Sequence, residues 1–215
     1  VEAARSGQKL PGYQEIGCHM VFDIRLDGLV RKARLVAGGH TTETPASVTY
    51  SSVVSRDSVC IAFLIAALNE LDMLVVNIRN AYLNAPCREK IWTVAGKEFG
   101  DKGTVMVIVQ ALYGLKSSGA SWRNMFMQTL LELGYTSSLA DPDVYLRRNT
   151  KPDGTEYYEL LLVYVDDTLC VSHDPMATMN KIGEVYRLKE GSLGPPTRYL
   201  GAKVAKYQCG DGSEH

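Results

Sequence analysis

Asp166 and Asp167 stand side by side in the apolar, β-branched run LLVYVDDTLCVSH, Leu161 to His173. Burying unpaired charge costs several kcal/mol, on the order of the net stability of a small domain, so such a pair needs water, a counter-charge or a metal ion. The eight residues YYELLLVY, rich in large apolar side chains, feed directly into it. Carboxylates at the tip of a buried hairpin are held rigidly at the edge of a core, which is how hard divalent cations are presented to phosphates. A solvated turn is the plainer reading, since Asp favours turns and hairpin ends. Cation chemistry needs at least one more oxygen ligand from elsewhere in the chain.

The elements that position the pair follow from the pattern around it. YYELLLVYV enters it and TLCVSH leaves it, which predicts a hairpin whose turn is made of the carboxylates themselves. DVYLRR precedes the turn signal Lys151-Pro152-Asp153-Gly154, and Asp174 followed by Pro175 starts a helix through MATMNKIGEVYRL. Trp122, Met125, Phe126, Thr129, Leu130 and Leu133 recur at helical spacing, with Gly134 where a C-terminal glycine belongs. Nearer the N-terminus, CHMVFDIRL and LVRKARLVA flank Asp27-Gly28, the signal of a tight hairpin, and GGHTTETPASVTYSS reads as a loop. A helix is expected from the N-cap Ser55 to near Asp72, apolar nearly all round and hence buried. MLVVNI reads as a short central strand, NAYLNAP as a turn closed by Pro86, and EKIWTVA and TVMVIVQAL as further strands. The order hairpin, helix, strand, helix, hairpin, helix predicts an α+β fold with an antiparallel-rich sheet.

At 215 residues, 46% hydrophobic and 22% charged, the chain can build one large domain or two small lobes and is not disordered. A net charge of −1 gives no bulk attraction for nucleic acid, so a polyanion would have to meet a local basic face, which Arg31, Lys32 and Arg34 form in miniature. Five cysteines without metal-type spacing predict free thiols in a reducing compartment. The most apolar run, VCIAFLIAAL, is about half a bilayer span, and no signal peptide is legible, so a soluble intracellular protein with no membrane partner is expected. The Val1 start and the polar CGDGSEH end suggest a piece of a longer polypeptide.

Tyr164-Val165-Asp166-Asp167 resembles the Y-x-D-D motif of reverse transcriptases, and LLVYVDDTL is similar to its form in copia-type LTR retrotransposons. Three further blocks stand in that family's order. NIRNAYLNAP resembles the first catalytic motif, ALYGLKSSGASW a copia-type block around Tyr-Gly-Leu-Lys, and RKARLVAGG with YSSVVSRDSVCIAFLIA the opening fingers segment. The resemblance runs from about Leu10 to Lys203. It implies a reverse transcriptase domain over residues 10–203 with flanking segments 1–9 and 204–215. The implied fold is the fingers and palm of a right-hand polymerase, its antiparallel palm sheet backed by helices and its thumb absent or truncated.

The implied reaction is RNA-directed DNA synthesis, in which two Mg²⁺ or Mn²⁺ ions activate a primer 3′-OH and hold a deoxynucleoside triphosphate. Its catalytic positions fall on Asp166, Asp167 and Asn77, with Asp166 and Asp167 as the metal ligands. Asn77 stands where the family has Asp. An amide offers one neutral oxygen in place of two charged ones, and its NH₂ is a donor that would face a cation. Asp72 cannot substitute, because five extended residues place it about 17 Å away on the opposite face. The resemblance places Tyr82 under the incoming sugar, Lys32 and Arg34 at the triphosphate, and Tyr113, Gly114 and Lys116 around the nucleotide and template. The plainer alternatives by residue type are a core tyrosine at Tyr82, a solvated strand edge at Lys32 and Arg34, and a turn at Gly114.

The implied partners are an RNA or DNA template-primer, dNTPs, and RNase H and integrase domains elsewhere in a polyprotein. The implied location is the cytoplasm, in virus-like particles. Two competing readings stand beside the polymerase. One is a relic that binds nucleic acid without extending it, because Asn77 has removed a ligand. The other is a phosphoacceptor domain, which requires a parallel α/β order with the acidic pair early in the chain, whereas here the pair is late and between strands.

Overall fold

The computed structural model describes residues 3–4, 10–25, 29–43, 49–96, 99, 101, 103–205 and 207. In chain order its strands are β1 (Ala3–Ala4), β2 (Gln14–Glu15), β3 (Cys18–Arg25), β4 (Val30–Ala37), β5 (Asp72–Asn77), β6 (Ile91–Val94), β7 (Val105–Val107), β8 (Thr136–Ser137), β9 (Val144–Thr150), β10 (Glu156–Tyr164), β11 (Asp167–Ser172), β12 (Arg198–Tyr199) and β13 (Ala202–Lys203). Its helices are α1 (Arg56–Leu68), α2 (Ala81–Asn84), α3 (Ser118–Glu132) and α4 (Pro175–Val185). The class is mixed α and β, and the chain divides into two compact units whose last boundary falls inside α3.

The first unit comprises Val1–Ser51 and Ala81–Phe126. It holds a four-stranded sheet in the order β1-β7-β6-β2, antiparallel except where β2 meets β6, and the separate β3-β4 hairpin. Ile16, Ala37, Ile91, Ile108 and Leu115 form its buried cluster. The expected Asp27-Gly28 turn lies outside the described residues, but the pairing of Cys18 with Ala37 through Arg25 with Val30 is the register expected of such a hairpin. Within NAYLNAP, expected as a turn closed by Pro86, Ala81–Asn84 form a single helical turn, α2.

The second unit, Ser52–Asn80 with Met127–His215, is built on an antiparallel sheet in the order β5-β11-β10-β9-β8. Burial on both faces of β10 explains why Leu160, Leu161, Leu162 and Val163 are apolar without a break. Leu160 and Leu162 pack with Leu169, Val171 and the buried face of α1. Glu159 points the other way and accepts a 2.6 Å hydrogen bond from Thr178 on α4. A sheet covered on both faces selects continuous apolar strands.

Two expectations need correction. MLVVNI is an edge strand and not a central one, although its outer side is met by the 187–194 segment through bridges from Val75 to Gly194 and from Ile78 to Leu188. The helix after Ser55 is not buried all round. Val59, Ala62 and Ala66 face the core, while Ile61, Leu64 and Leu68 are 56%, 57% and 68% exposed. Apolar residues on every side say nothing about which side is covered, and the sheet offers α1 only one face to pack on.

Glu159 ties several elements of this unit together while only 1% exposed. Its carboxylate accepts from Arg147 at 2.9 Å, Ser172 at 2.8 Å and Asn149 at 3.0 Å, as well as from Thr178 and the Tyr135 hydroxyl. So many donors are what a buried carboxylate needs to remain tolerable. At the other end of the sheet, Asp141 accepts from the backbone N–H of Ser55 at 2.9 Å and from the Ser58 hydroxyl at 2.6 Å, clamping the N-terminus of α1.

Candidate active site

The β10-β11 hairpin turns through Val165 and Asp166, because Tyr164 pairs directly with Asp167. The turn is therefore shifted by one residue from the expected acidic pair, and Asp167 already belongs to β11. Val165 has φ 56°, a left-handed conformation that a β-branched residue adopts only at a cost of roughly 1–3 kcal/mol. A 2.7 Å hydrogen bond from the Ile78 N–H to the Asp166 carbonyl ties this strained turn to the end of β5.

Asn77 is brought to the pair by register. In the β5-β11 ladder Asn77 lies opposite Asp167, Val75 opposite Leu169 and Met73 opposite Val171. Directly opposed residues share a face, so the Asn77 and Asp167 side chains meet. The Asn77 Nδ2 atom donates to Asp166 Oδ2 at 2.7 Å and to Asp167 Oδ1 at 2.8 Å. Ionised carboxylates only accept, so the nitrogen end of the amide must face them. The Asn77 backbone is fixed from the other side by Ser192, whose Oγ accepts from the Asn77 N–H at 3.1 Å, and by the Lys189 N–H, which donates to the Asn77 carbonyl at 2.8 Å. Asp72 pairs with Ser172 at the far end of the ladder, five positions from Asn77.

Burial pushes the Asp167 carboxyl above its ordinary value. The Asn77 hydrogen bond and the Lys189 charge pull it down, and the Asp166 charge adds to the rise. Tyr199 is buried, and its hydroxyl has no hydrogen-bond partner among the described residues. Burial, and to a lesser extent the Asp167 charge, hold its phenol well above the usual range. Ser192, Lys189 and Tyr199 were not legible as site residues, because they come from loop and short-hairpin segments with no periodicity to set them apart.

The remaining candidate residues lie in the first unit. The Arg34 guanidinium sits 5.9 Å from the centroid of the Tyr113 ring, within cation–π range, and the Tyr113 and Tyr82 rings pack with centroids 4.8 Å apart. In the β3-β4 ladder Lys32 faces Asp23 and Arg34 faces Val21, so the two cations share one side of the hairpin. Lys116 Nζ donates to the Thr42 carbonyl at 2.5 Å. Gly114 has φ 93°, and a Cβ there would lie 2.1 Å from the Ala37 carbonyl oxygen. Close approach of the chain to itself therefore accounts for this glycine. A Cβ on Gly39 would in turn lie 2.1 Å from the Gly114 carbonyl oxygen. Trp122 is buried and stacks on Phe126 at 5.2 Å, as the helical stripe predicts.

A model of the reverse transcriptase (RNA-dependent DNA polymerase) family matches residues 8–211. The chain belongs to that family. It is 29% identical over 207 residues to the retrovirus-related Pol polyprotein from transposon TNT 1-94 of Nicotiana tabacum, covering 91% of this chain and 15% of that polyprotein. Likeness to the polyprotein from transposon RE1 of Arabidopsis thaliana is 26% over 187 residues, covering 81% of this chain and 12% of the polyprotein. Transposon Ty1-NL2 Gag-Pol polyprotein of Saccharomyces cerevisiae is 29% identical over 119 residues, covering 54% of this chain and 7% of that protein. This reverse transcriptase domain is thus of the copia type and spans about one seventh or less of the curated relatives it matches. No described helix is long and apolar enough to cross a membrane.

Reverse transcriptases use divalent metal ions. The donor set here does not fit a pair of them. An N–H donor lies between the two carboxylates, where a bridging ligand would have to offer lone pairs, and an amide supplies no second charged oxygen. Among the described residues no group of three or more His, Cys, Asp or Glu side chains is placed to hold a cation.

Proposed function

We propose that this reverse transcriptase domain is the fingers and palm portion of a copia-type RNA-directed DNA polymerase. In this reading the first unit supplies fingers and nucleotide-contacting residues, and the second unit is the palm, within a single domain over residues 10–203. Tyr82 lies under the deoxyribose, Arg34 and Lys32 address the triphosphate, and Tyr113, Gly114 and Lys116 frame the nucleotide and template. The partners are an RNA or DNA template-primer and dNTPs, with RNase H and integrase domains elsewhere in the polyprotein. The supporting observation is the convergence of residues 77, 166 and 167, far apart in sequence, at the end of one antiparallel sheet beside a strained hairpin turn.

One observation favours a second reading. The amide of Asn77 donates to both carboxylates where a cation would sit, so nucleotidyl transfer through a two-ion centre is impaired in this copy, and the domain acts as a binder of primer-template. Carboxylates at these three positions would repel one another and draw in cations, whereas an amide quiets that demand.

Titration of a fluorescent RNA-DNA primer-template with the purified protein, followed by primer extension in Mg²⁺ and in Mn²⁺, tests both readings. Binding that weakens as salt rises supports the polymerase fold, with extension reporting whether this copy turns over. Absence of binding at low salt would overturn both.

A further inference from the structure

The Asn77 amide does more than fail as a ligand. Its nitrogen contacts Asp166 Oδ2 and Asp167 Oδ1 at 2.7 and 2.8 Å, which links the hairpin turn, the first residue of β11 and the last residue of β5 in one node. Next to that node the left-handed Val165 strains the same turn, and the neighbouring Ile78 N–H to Asp166 carbonyl bond ties the turn backbone to the end of β5. We propose that Asn77 is an internal stand-in for a cation: it turns a carboxylate site that a metal ion would hold together into one that holds itself together without metal.

The physical case is one of charge and geometry. Two carboxylates brought within reach of one donor repel each other unless positive charge or hydrogen-bond donors lie between them. A divalent cation does this with lone-pair ligands, and an NH₂ group does it with two N–H bonds to ionised acceptors, each a charge-assisted bond. The two solutions compete for one place. A cation approaching both carboxylates must displace the amide nitrogen and cannot use it as a ligand, because the nitrogen carries hydrogens toward the site. The hairpin of this chain is thus held against β5 in the absence of metal, and a carboxylate at position 77 trades that independence for a demand for cations.

This inference rests on the reading of Asp166 and Asp167 as carboxylates of a cation centre, and the experiment separates the two. The native chain and Asn77→Asp are melted in EDTA and in millimolar Mn²⁺, with Mn²⁺ binding followed by calorimetry. The native midpoint is expected to stay the same in both buffers with no Mn²⁺ heat, while Asn77→Asp melts several degrees lower in EDTA and recovers in Mn²⁺. Equal Mn²⁺ stabilisation of both proteins would overturn the inference, as would an Asn77→Asp midpoint in EDTA equal to the native one. Should Asn77→Asp not fold, Asn77→Ala removes the donors without adding charge. Hydrogen exchange at residues 164–168 of that variant is expected to speed up by about tenfold or more in EDTA, the loss expected for two charge-assisted bonds. Unchanged exchange would overturn the inference. A native chain that behaves as expected in these melts but binds no primer-template keeps the amide-held site and loses the polymerase reading.

Discussion

Asn77 and Asp167 face each other across the β5-β11 ladder, and the 2.8 Å bond from the Asn77 amide to the Asp167 carboxylate is the direct outcome of that register. A slip of one residue would send Asn77 to the opposite face of the sheet. The pairing explains why position 77 governs what the acidic hairpin can do, although 89 residues separate it from Asp166.

The buried Glu159 node sets the stability of the second unit. Glu159→Gln leaves Arg147 without its ion-pair partner and turns an NH₂ group toward donors that had a carboxylate oxygen. Because Arg147 is 19% exposed and can find water, a loss of about 3 kcal/mol is expected, which for a chain of this size lowers the melting midpoint by roughly 6–12 °C. Calorimetric melts of the two proteins at neutral pH measure it.

Gly114→Ala tests whether backbone packing, and not a ligand, demands glycine at that position. The new Cβ would lie 2.1 Å from the Ala37 carbonyl oxygen at a φ of 93°. The expected cost exceeds about 2 kcal/mol and falls on the first unit, visible as faster hydrogen exchange at residues 36–39 and 113–115. Undiminished protection there would show that the chain gives way easily at this crossing.

Acid weakens the clamp on α1. Burial alone would raise the Asp141 carboxyl, but the Ser58 hydroxyl and the Ser55 and Asp143 N–H groups outweigh it and hold Asp141 below its ordinary value of 3.8. A carboxyl lowered on folding contributes stability above its unfolded value and loses that contribution as the pH falls through its folded value. The Asp141→Asn variant is therefore expected to melt below the native chain at pH 6, with the gap closing as the pH falls below about 4. A gap that holds constant down to pH 2 would assign the clamp to shape and not to charge.

Much of this fold was written in the sequence where a pattern and its physical cause coincide. Ser55 and Asp174 cap α1 and α4 because a short oxygen-bearing side chain before a helical run satisfies a free N–H, and both accept from the N–H three residues on. Trp122 and Phe126 are buried because their spacing leaves them no other face. Legibility failed where packing depends on partners far along the chain. The sequence of α1 is apolar all round, yet which side is covered depends on Leu169 and Val171, a hundred or so residues later. The position of MLVVNI at the sheet edge was equally hidden, since strand order is not encoded in any one strand. At the site the three residue positions were legible as a family resemblance. The two hydrogen bonds by which Asn77 joins the carboxylates were not, because they require the register of β5 against β11.

The sugar-facing role proposed for Tyr82 has its own readout. In an Asn77→Asp background, Tyr82→Val is expected to raise ribonucleotide incorporation relative to deoxynucleotide by about tenfold or more, because the ring that would crowd a 2′-OH is gone. An unchanged ratio would return Tyr82 to the role of a packing partner for Tyr113.

We propose that the amide at position 77 limits nucleotidyl transfer by this reverse transcriptase domain. Single-nucleotide extension of an RNA-templated DNA primer, timed for the native chain and for Asn77→Asp in the same Mg²⁺ buffer, tests it most directly. A restored ligand contributing several kcal/mol in the transition state predicts that Asn77→Asp extends at least about a hundredfold faster. Equal rates of extension by the two proteins would contradict the account.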